Sequence, residues 1–490
     1  MLNFEHDEAL REREVHLFPT VRISSTREAE LRATAALLSM VRAVSEFGRA
    51  VVRMSDGPAG HISCYTEVTL KEESAEGVKE NRLDGIIRVV RGKTEWSALL
   101  EVKVGDNRLR QDQFDAYHRL AKDRGFNAVI TVSNQAAQTD GLPPLAVDGR
   151  RLRGVPVYHI SWDRLLSEAR MLSARKGVDD PDQQWMLDEW IRYVANPESK
   201  IIEPPSLGEH WGTVLQAARE ANIASFPRQV EAVVGKWDAY LKKVALRLRA
   251  TLGVEVRPRL RRADKKDPAG RQKRLIDRVL CESRLSGVLR IPDAIGDIDI
   301  DINLQAQTVR YGVEFDAPNE GRQLTRIKWL VRQLDGITAS ESMLIRVQWD
   351  QRRLESSAKL GDAVRDPTRL LRCGLESAPP SAFPKKYVLE WTRSLPRGRG
   401  KSNAQVLEGV SGRLEEFYGS VVQHLVGYQR KAPKLDKAEE NLTRPESREE
   451  DAAPIESAAN EGRCDLAGMA RSEKERIVRN PVRDFVDGPR

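Results

Sequence analysis

Cysteine is scarce in this chain of 490 residues, with Cys64, Cys281, Cys373 and Cys464 scattered along it. None belongs to a Cys-x-x-Cys pair or stands beside a histidine cluster, so neither a disulfide framework nor a structural zinc site is expected. Long apolar runs are missing too. No stretch approaches the roughly eighteen residues of a membrane span, and the mean hydropathy is -0.52. The first twenty residues are charged and hold no apolar core of signal-peptide length, so a cytoplasmic location is expected. No internal repeat of about 20 to 50 residues, no Walker-type phosphate loop and no dinucleotide-binding glycine fingerprint occurs. Nor does charge of one sign dominate: 80 basic against 73 acidic residues leave +7, a mild preference for polyanionic partners.

What the chain does have is a stretch, residues 82–134, in which acids and bases punctuate short apolar runs. Asp84 opens the run Ile86, Ile87, Val89 and Val90, which is β-branched and closed by Arg91-Gly92-Lys93, and so reads as a strand entering a turn. Across 96–104, Ala98, Leu100 and Val102 fall on one face, while Glu101 and Lys103 project together from the other. Pairing of the two strands as a hairpin sets Asp84 beside Glu101. Two carboxylates near a lysine suit metal-assisted hydrolysis of a phosphodiester, in which a hard cation takes oxygen ligands and the attacking water loses a proton. In this reading Asp84, Glu101 and the carbonyl of Val102 hold Mg²⁺, with Mn²⁺ as a substitute. Lys103 orients the water or stabilises charge on the phosphorane-like transition state.

The pattern Asp84, then Glu101-Val102-Lys103, resembles the D…(D/E)-x-K signature of the PD-(D/E)XK nuclease superfamily, with Leu83 where the name has proline. Beyond a Gly105-Asp106-Asn107 turn, a helix carries Gln113 and Tyr117 four apart on one face. That pair is similar to the Q-h-x-x-Y motif of the exonuclease-like branch. The helix closes near Gly125, and residues 128–132 form the next strand. The resemblance covers about a third of the chain. It implies an α/β, restriction-endonuclease-like fold, a mixed sheet flanked by helices. It also implies a magnesium-dependent deoxyribonuclease in repair, restriction or defence against foreign DNA, with Gln113 and Tyr117 positioning the substrate. Two alternatives stand beside it: a nuclease-fold DNA-binding protein without the chemistry, and a structural or interaction protein on which these acids are ordinary surface.

Upstream, residues 26–52 read as one helix with Ser25 at the N-cap and Glu28 completing a capping box. Leu37, Met40, Val41 and Val44 share a face with Glu30. Glu30 is either an auxiliary acid near the metal, as the first helix often supplies in this superfamily, or a rim glutamate paired with an arginine. Residues 62–70 alternate as a first strand carrying Glu67, either another metal-proximal acid or a solvated strand residue, and 71–80 read as a polar loop. Residues 155–166 turn from strand to helix at the sheet edge, and His118 and His159 read as surface and structural residues.

Five regions are expected: an N-terminal arm 1–22, a nuclease-like domain 23–175, a helical middle region 176–275, an α+β domain 276–430 and a disordered charged tail 431–490. The tract 257–274 sets nine Lys or Arg against two Asp. It either binds phosphates or forms a solvated loop, and Pro268-Ala269-Gly270 points to loop. Asp297, Asp299 and Asp301 alternate with Ile298, Ile300 and Ile302; with Glu314 and Asp316 they would allow a metal site, but the alternation is equally that of a half-buried antiparallel strand, which is the preferred reading. The order strand, strand, helix, strand there echoes the first domain, but Glu314-Phe315-Asp316 lacks the lysine, so no second catalyst is expected. A last helix spans 403–428, and the C-terminal two thirds is the expected surface for a protein partner or a second copy of the chain.

Overall fold

A computed structural model of the chain describes residues 16–18, 23–74, 77–135, 142–145, 154–175, 177–337, 343–374, 376–396 and 403–429. The expected tail 431–490 and nearly all of the expected arm 1–22 lie outside the described residues. The fold is mixed α/β, with helices packed on two large sheets. Among the described residues no helix is long and apolar enough to cross a membrane.

Ser25 caps α1 (Thr26–Ala43) by accepting from the Glu28 N–H, while the Glu28 carboxylate accepts from the N–H of Ser24. Where one helix was expected there are two, because the chain leaves helical geometry at Val44 before α2 (Ser45–Met54). Gly48 permits the tight bend, since a Cβ there would collide with the Val41 carbonyl. Five strands follow: β1 (His61–Ser74), β2 (Gly77–Arg91), β3 (Thr94–Val102), β4 (Ala128–Ser133) and β5 (Val157–Ser161). They lie in the order β1-β2-β3-β4-β5. The first three pair antiparallel, and β4 and β5 join in parallel. The segment 71–80, expected as loop, instead extends the β1–β2 ladder to Ser74 and Gly77.

The parallel β3–β4 step requires a crossover, which α3 (Gln111–Asp123) supplies. It packs Phe114, Tyr117 and Leu120 on Leu83, Leu99 and Val129. The opposite face, with Ile87, Ala98, Leu100, Val102 and Ile130, meets α1, α2, α4 (Trp162–Ala174) and α5 (Pro181–Ala195). Both faces are therefore covered, which is why β4 reads as a run of six buried residues rather than an alternation.

The second body holds α6 (Trp211–Arg219), α7 (Pro227–Leu252), β6 (Arg257–Pro258), α8 (Arg262–Lys266) and α9 (Pro268–Glu282), then β7 (Arg284–Arg290), β8 (Ile298–Asn303) and β9 (Thr308–Asp316). Next come α10 (Gln323–Leu334), β10 (Met343–Trp349), β11 (Glu355–Lys359), α11 (Leu360–Arg365), the short hairpin β12 (Arg372–Cys373) and β13 (Glu376–Ser377), β14 (Pro384–Ser394) and α12 (Ala404–Ser420). Seven of these strands form an antiparallel sheet, β11-β10-β14-β9-β8-β7-β6. Ile298, Ile300 and Ile302 enter the core as the alternation predicts, but Asp301 is buried as well and meets Arg278 and Arg284. The echo of the first domain stops at topology, because β14 lies between β9 and β10 where the first sheet pairs β3 directly with β4.

The middle region 176–275 is divided between the two cores. Leu187, Trp190 and Tyr193 of α5 belong to the first, which continues to Ile201, and the second starts at Leu207. The basic tract, expected as loop, holds α8 and α9, since Asp267 caps α9 and Pro268 occupies the first turn, where its missing N–H costs nothing. The expected helix to 428 ends at Ser420. Between the bodies, buried Arg249 of α7 bonds Glu168 Oε2 of α4 at 2.6 Å and Glu255 Oε2 at 2.8 Å.

Candidate active site

The β2–β3 ladder runs from Arg91↔Thr94 to Gly85↔Leu100 and goes no further. Past that point the Asp84 carboxylate takes the place of a ladder partner, and its Oδ2 accepts from the N–H of Val102 at 2.8 Å. On the other side β3 still pairs with β4, and Lys103 N–H donates to the Val132 carbonyl at 2.8 Å. Trp162, fully buried, donates its indole N–H to the Lys103 carbonyl at 2.8 Å. The backbone that presents Glu101, Val102 and Lys103 is thus held from three directions.

Glu101 is 2% exposed, an unusual setting for a carboxylate. Its Oε1 accepts from Gln113 Nε2 at 2.5 Å and meets Lys103 Nζ at 2.7 Å. Its Oε2 is buried without a hydrogen-bond partner. Burial first, and then the charge of Asp84, push the Glu101 carboxyl up to about 7 against the pull of Lys103. A cavity of about 10 Å³, room for one water, adjoins it and is lined by Gln113, Tyr117 and Thr131 among others.

Lys103 Nζ also reaches Glu30 Oε2 at 3.4 Å and the Val102 carbonyl at 3.3 Å. Burial disfavours its ammonium, but Glu101, Glu30 and Asp84 outweigh that and hold its pKa above the usual lysine value. Glu30 Oε1 in turn accepts from Asn107 Nδ2 at 2.7 Å. The helix-rim alternative for Glu30, a partner arginine, is replaced by Lys103 and Asn107.

The structure brings Asp84, Glu101, Val102, Lys103, Glu30, Gln113 and Tyr117 to one place. Gln113 is engaged by Glu101, and the Tyr117 hydroxyl donates to the Arg82 carbonyl at 3.3 Å. Burial, followed by the charges of Glu101 and Asp84, drives the Tyr117 phenol well above its ordinary pKa, so it stays protonated. Of the two, Gln113 holds the Glu101 carboxylate directly. Glu67 lies between the paired residues Thr66↔Gly85 and Val68↔Leu83 with φ 52°, and its side chain pairs with Arg82 at the surface. His118 contacts the Val155 carbonyl, and His159 contacts Thr131 Oγ1 at 2.9 Å. Burial lowers His159 to about 4, so its imidazole is neutral and structural.

Asn107, Thr131 and Trp162 are site residues that the sequence did not single out. Asn107 carried a weak signal, since it closes the turn after the lysine; Thr131 and Trp162 carried none, because their contacts join segments far apart in the sequence. No family model, no curated protein and no solved structure matches the chain.

Among the described residues no group of three or more His, Cys, Asp or Glu is gathered to hold a metal ion. The donors present are two carboxylates and a main-chain carbonyl, with Glu101 Oε2 unpartnered. Such a set lacks the cysteine and histidine donors of a structural zinc site. It fits Mg²⁺, which binds through one or two carboxylates and keeps waters or substrate phosphates for its other positions.

Proposed function

We propose that this chain is a metal-dependent nuclease that hydrolyses phosphodiester bonds, with DNA as the favoured substrate and the β2–β3 hairpin as its catalytic centre. The observation that carries the reading is the convergence of Asp84, Glu101 and Lys103 around a buried carboxylate oxygen with no partner of its own. The strand order, an antiparallel hairpin followed by a helix and a parallel strand, supports a restriction-endonuclease-like fold for the first body.

Asp84, Glu101 and the Val102 carbonyl would hold Mg²⁺, or Mn²⁺ in its place, and the bound ion supplies a Lewis acid and a more acidic water. The chain's own groups do the rest. Gln113 holds the Glu101 carboxylate in one rotamer. Lys103, protonated and flanked by Glu101 and Glu30, offers N–H donors to the attacking water and to the phosphoryl oxygens on which charge grows. Asn107 keeps Glu30 turned toward the lysine. The apolar floor of β3 and β4 excludes bulk water from the Glu101 side, which strengthens each of these interactions.

The test is cleavage of linear, circular and single-stranded DNA by the purified chain with Mg²⁺, Mn²⁺ or EDTA, alongside Asp84→Ala and Lys103→Ala. Metal-dependent cutting that both substitutions abolish is the expected result. Cutting that survives Lys103→Ala would refute its role. DNA binding without cutting under any condition would favour the nuclease-fold binding protein instead.

A further inference from the structure

One tract alone carries a formal charge equal to the +7 of the whole chain. The tract 257–274 holds nine of the 80 basic residues and two of the 73 acidic ones, leaving 71 of each sign elsewhere. Outside these eighteen residues the chain is formally neutral.

The second body fixes this tract in place. Asp267 accepts from the Gly270 N–H at 2.9 Å to cap α9, and Arg274 bonds Asp264 Oδ1 at 2.5 Å, tying α8 to α9. Arg271 clamps Asp238 of α7, with Nη2 2.8 Å from Oδ1. Arg259 pairs with Asp297 and Arg257 with Glu255. Both acids of the tract are thereby engaged, one in a cap and one by Arg274. Arg261, Arg262, Lys265, Lys266 and Lys273 remain, all exposed and, among the described residues, in no ion pair.

We infer that these five cations are a docking surface for the phosphate backbone of a nucleic acid, separate from the catalytic hairpin. The choice of partner rests on the proposed nuclease reading and on two properties of the tract. Its charge is concentrated and uncompensated, which a polyphosphate satisfies by releasing counterions. Between 261 and 273 the apolar residues are only Ala263, Pro268 and Ala269, too small to anchor in a bilayer. Contacts to the phosphate backbone position a nucleic acid without reading its sequence.

The experiment measures binding of the full chain to labelled duplex DNA in EDTA, where no cutting occurs, over a range of salt concentrations. The variant replaces Arg261, Arg262, Lys265, Lys266 and Lys273 with Ala. A second variant, Lys265→Ala/Lys266→Ala/Lys273→Ala, serves if the first fails to fold. The slope of log K against log salt should become shallower by about 0.9 for each phosphate that is no longer neutralised, up to about 4.5 for the five, with at least about tenfold weaker binding. A slope within about 0.9 of the wild-type value would overturn the inference, as would tract-dependent binding to anionic phosphatidylserine vesicles without tract-dependent binding to DNA. Cutting by a chain whose salt slope ignores the tract would sink this inference alone. Tract-dependent binding by a chain that never cuts would sink the catalytic reading and leave this one standing.

Discussion

Glu101→Gln in the metal-free protein offers a direct reading of the strain at the candidate site. The glutamine amide occupies the same volume and keeps an oxygen for Gln113 and Lys103, but it carries no charge. In the wild type, burial and Asp84 raise the carboxyl from 4.5 to about 7. Because the folded pKa lies above the unfolded one, the folded state binds the proton more tightly, and stability falls as pH rises from about 4.5 to about 7. At about 1.4 kcal/mol per unit, the penalty reaches about 3 kcal/mol by pH 8 and is absent near pH 4. Urea denaturation in EDTA, followed by tryptophan fluorescence at pH 5 and pH 8, compares the two proteins; titrations elsewhere cancel in the difference. The substitution should gain about 2 to 3 kcal/mol relative to wild type between these two pH values. Equal pH dependence in the two proteins would refute the claim that Glu101 is ionised against its surroundings.

Magnesium at about 100 times its dissociation constant should raise wild-type stability at pH 8 by about 2.7 kcal/mol and leave Asp84→Ala unmoved, which thermal unfolding with and without the ion would show. Asn107→Ala frees Glu30 from its 2.7 Å donor and should lower cleavage about 10- to 100-fold, with circular dichroism unchanged; full activity would remove Asn107 from the site. Arg249→Met leaves Glu168 buried and unpaired between the bodies and should cost about 3 to 5 kcal/mol in urea, most of it recovered by adding Glu168→Leu. Gly85→Ala would drive a methyl into Leu38 Cδ1 directly beside Asp84, and denaturation should register a loss of about 1 to 3 kcal/mol.

Several features were legible in the residues alone, for reasons of period and local chemistry. The β2–β3 hairpin was readable because Ile86 to Val90 and Ala98 to Val102 are short β-branched or alternating runs around a glycine turn, and pairing then brings Asp84 to Glu101 whatever surrounds them. Ser25 and Glu28 announced the start of α1 because capping is decided within four residues. The alternation of Asp297, Asp299 and Asp301 with isoleucine predicted one buried face, and the structure has it. Prediction was weakest where local cues competed. Pro268-Ala269-Gly270 carries loop residues, but Asp267 ahead of a proline is equally a helix start, and packing on α7 decided for the helix.

Tertiary structure alone decided the rest. The amphipathic stripe of α5 is the same whichever core it covers, and only the arrangement of Trp190 on Phe47 shows that it closes the first body rather than opening the second. Gln113 and Tyr117 share a helix face by spacing, but their reach to Glu101 and the Arg82 carbonyl depends on how α3 crosses the sheet. Asn107 on Glu30, Trp162 on the Lys103 carbonyl and the bare Oε2 of Glu101 are contacts between segments far apart in the chain. Periodicity within a segment determines which residues face a core, whereas the environment of a carboxylate is set by every element that closes over it.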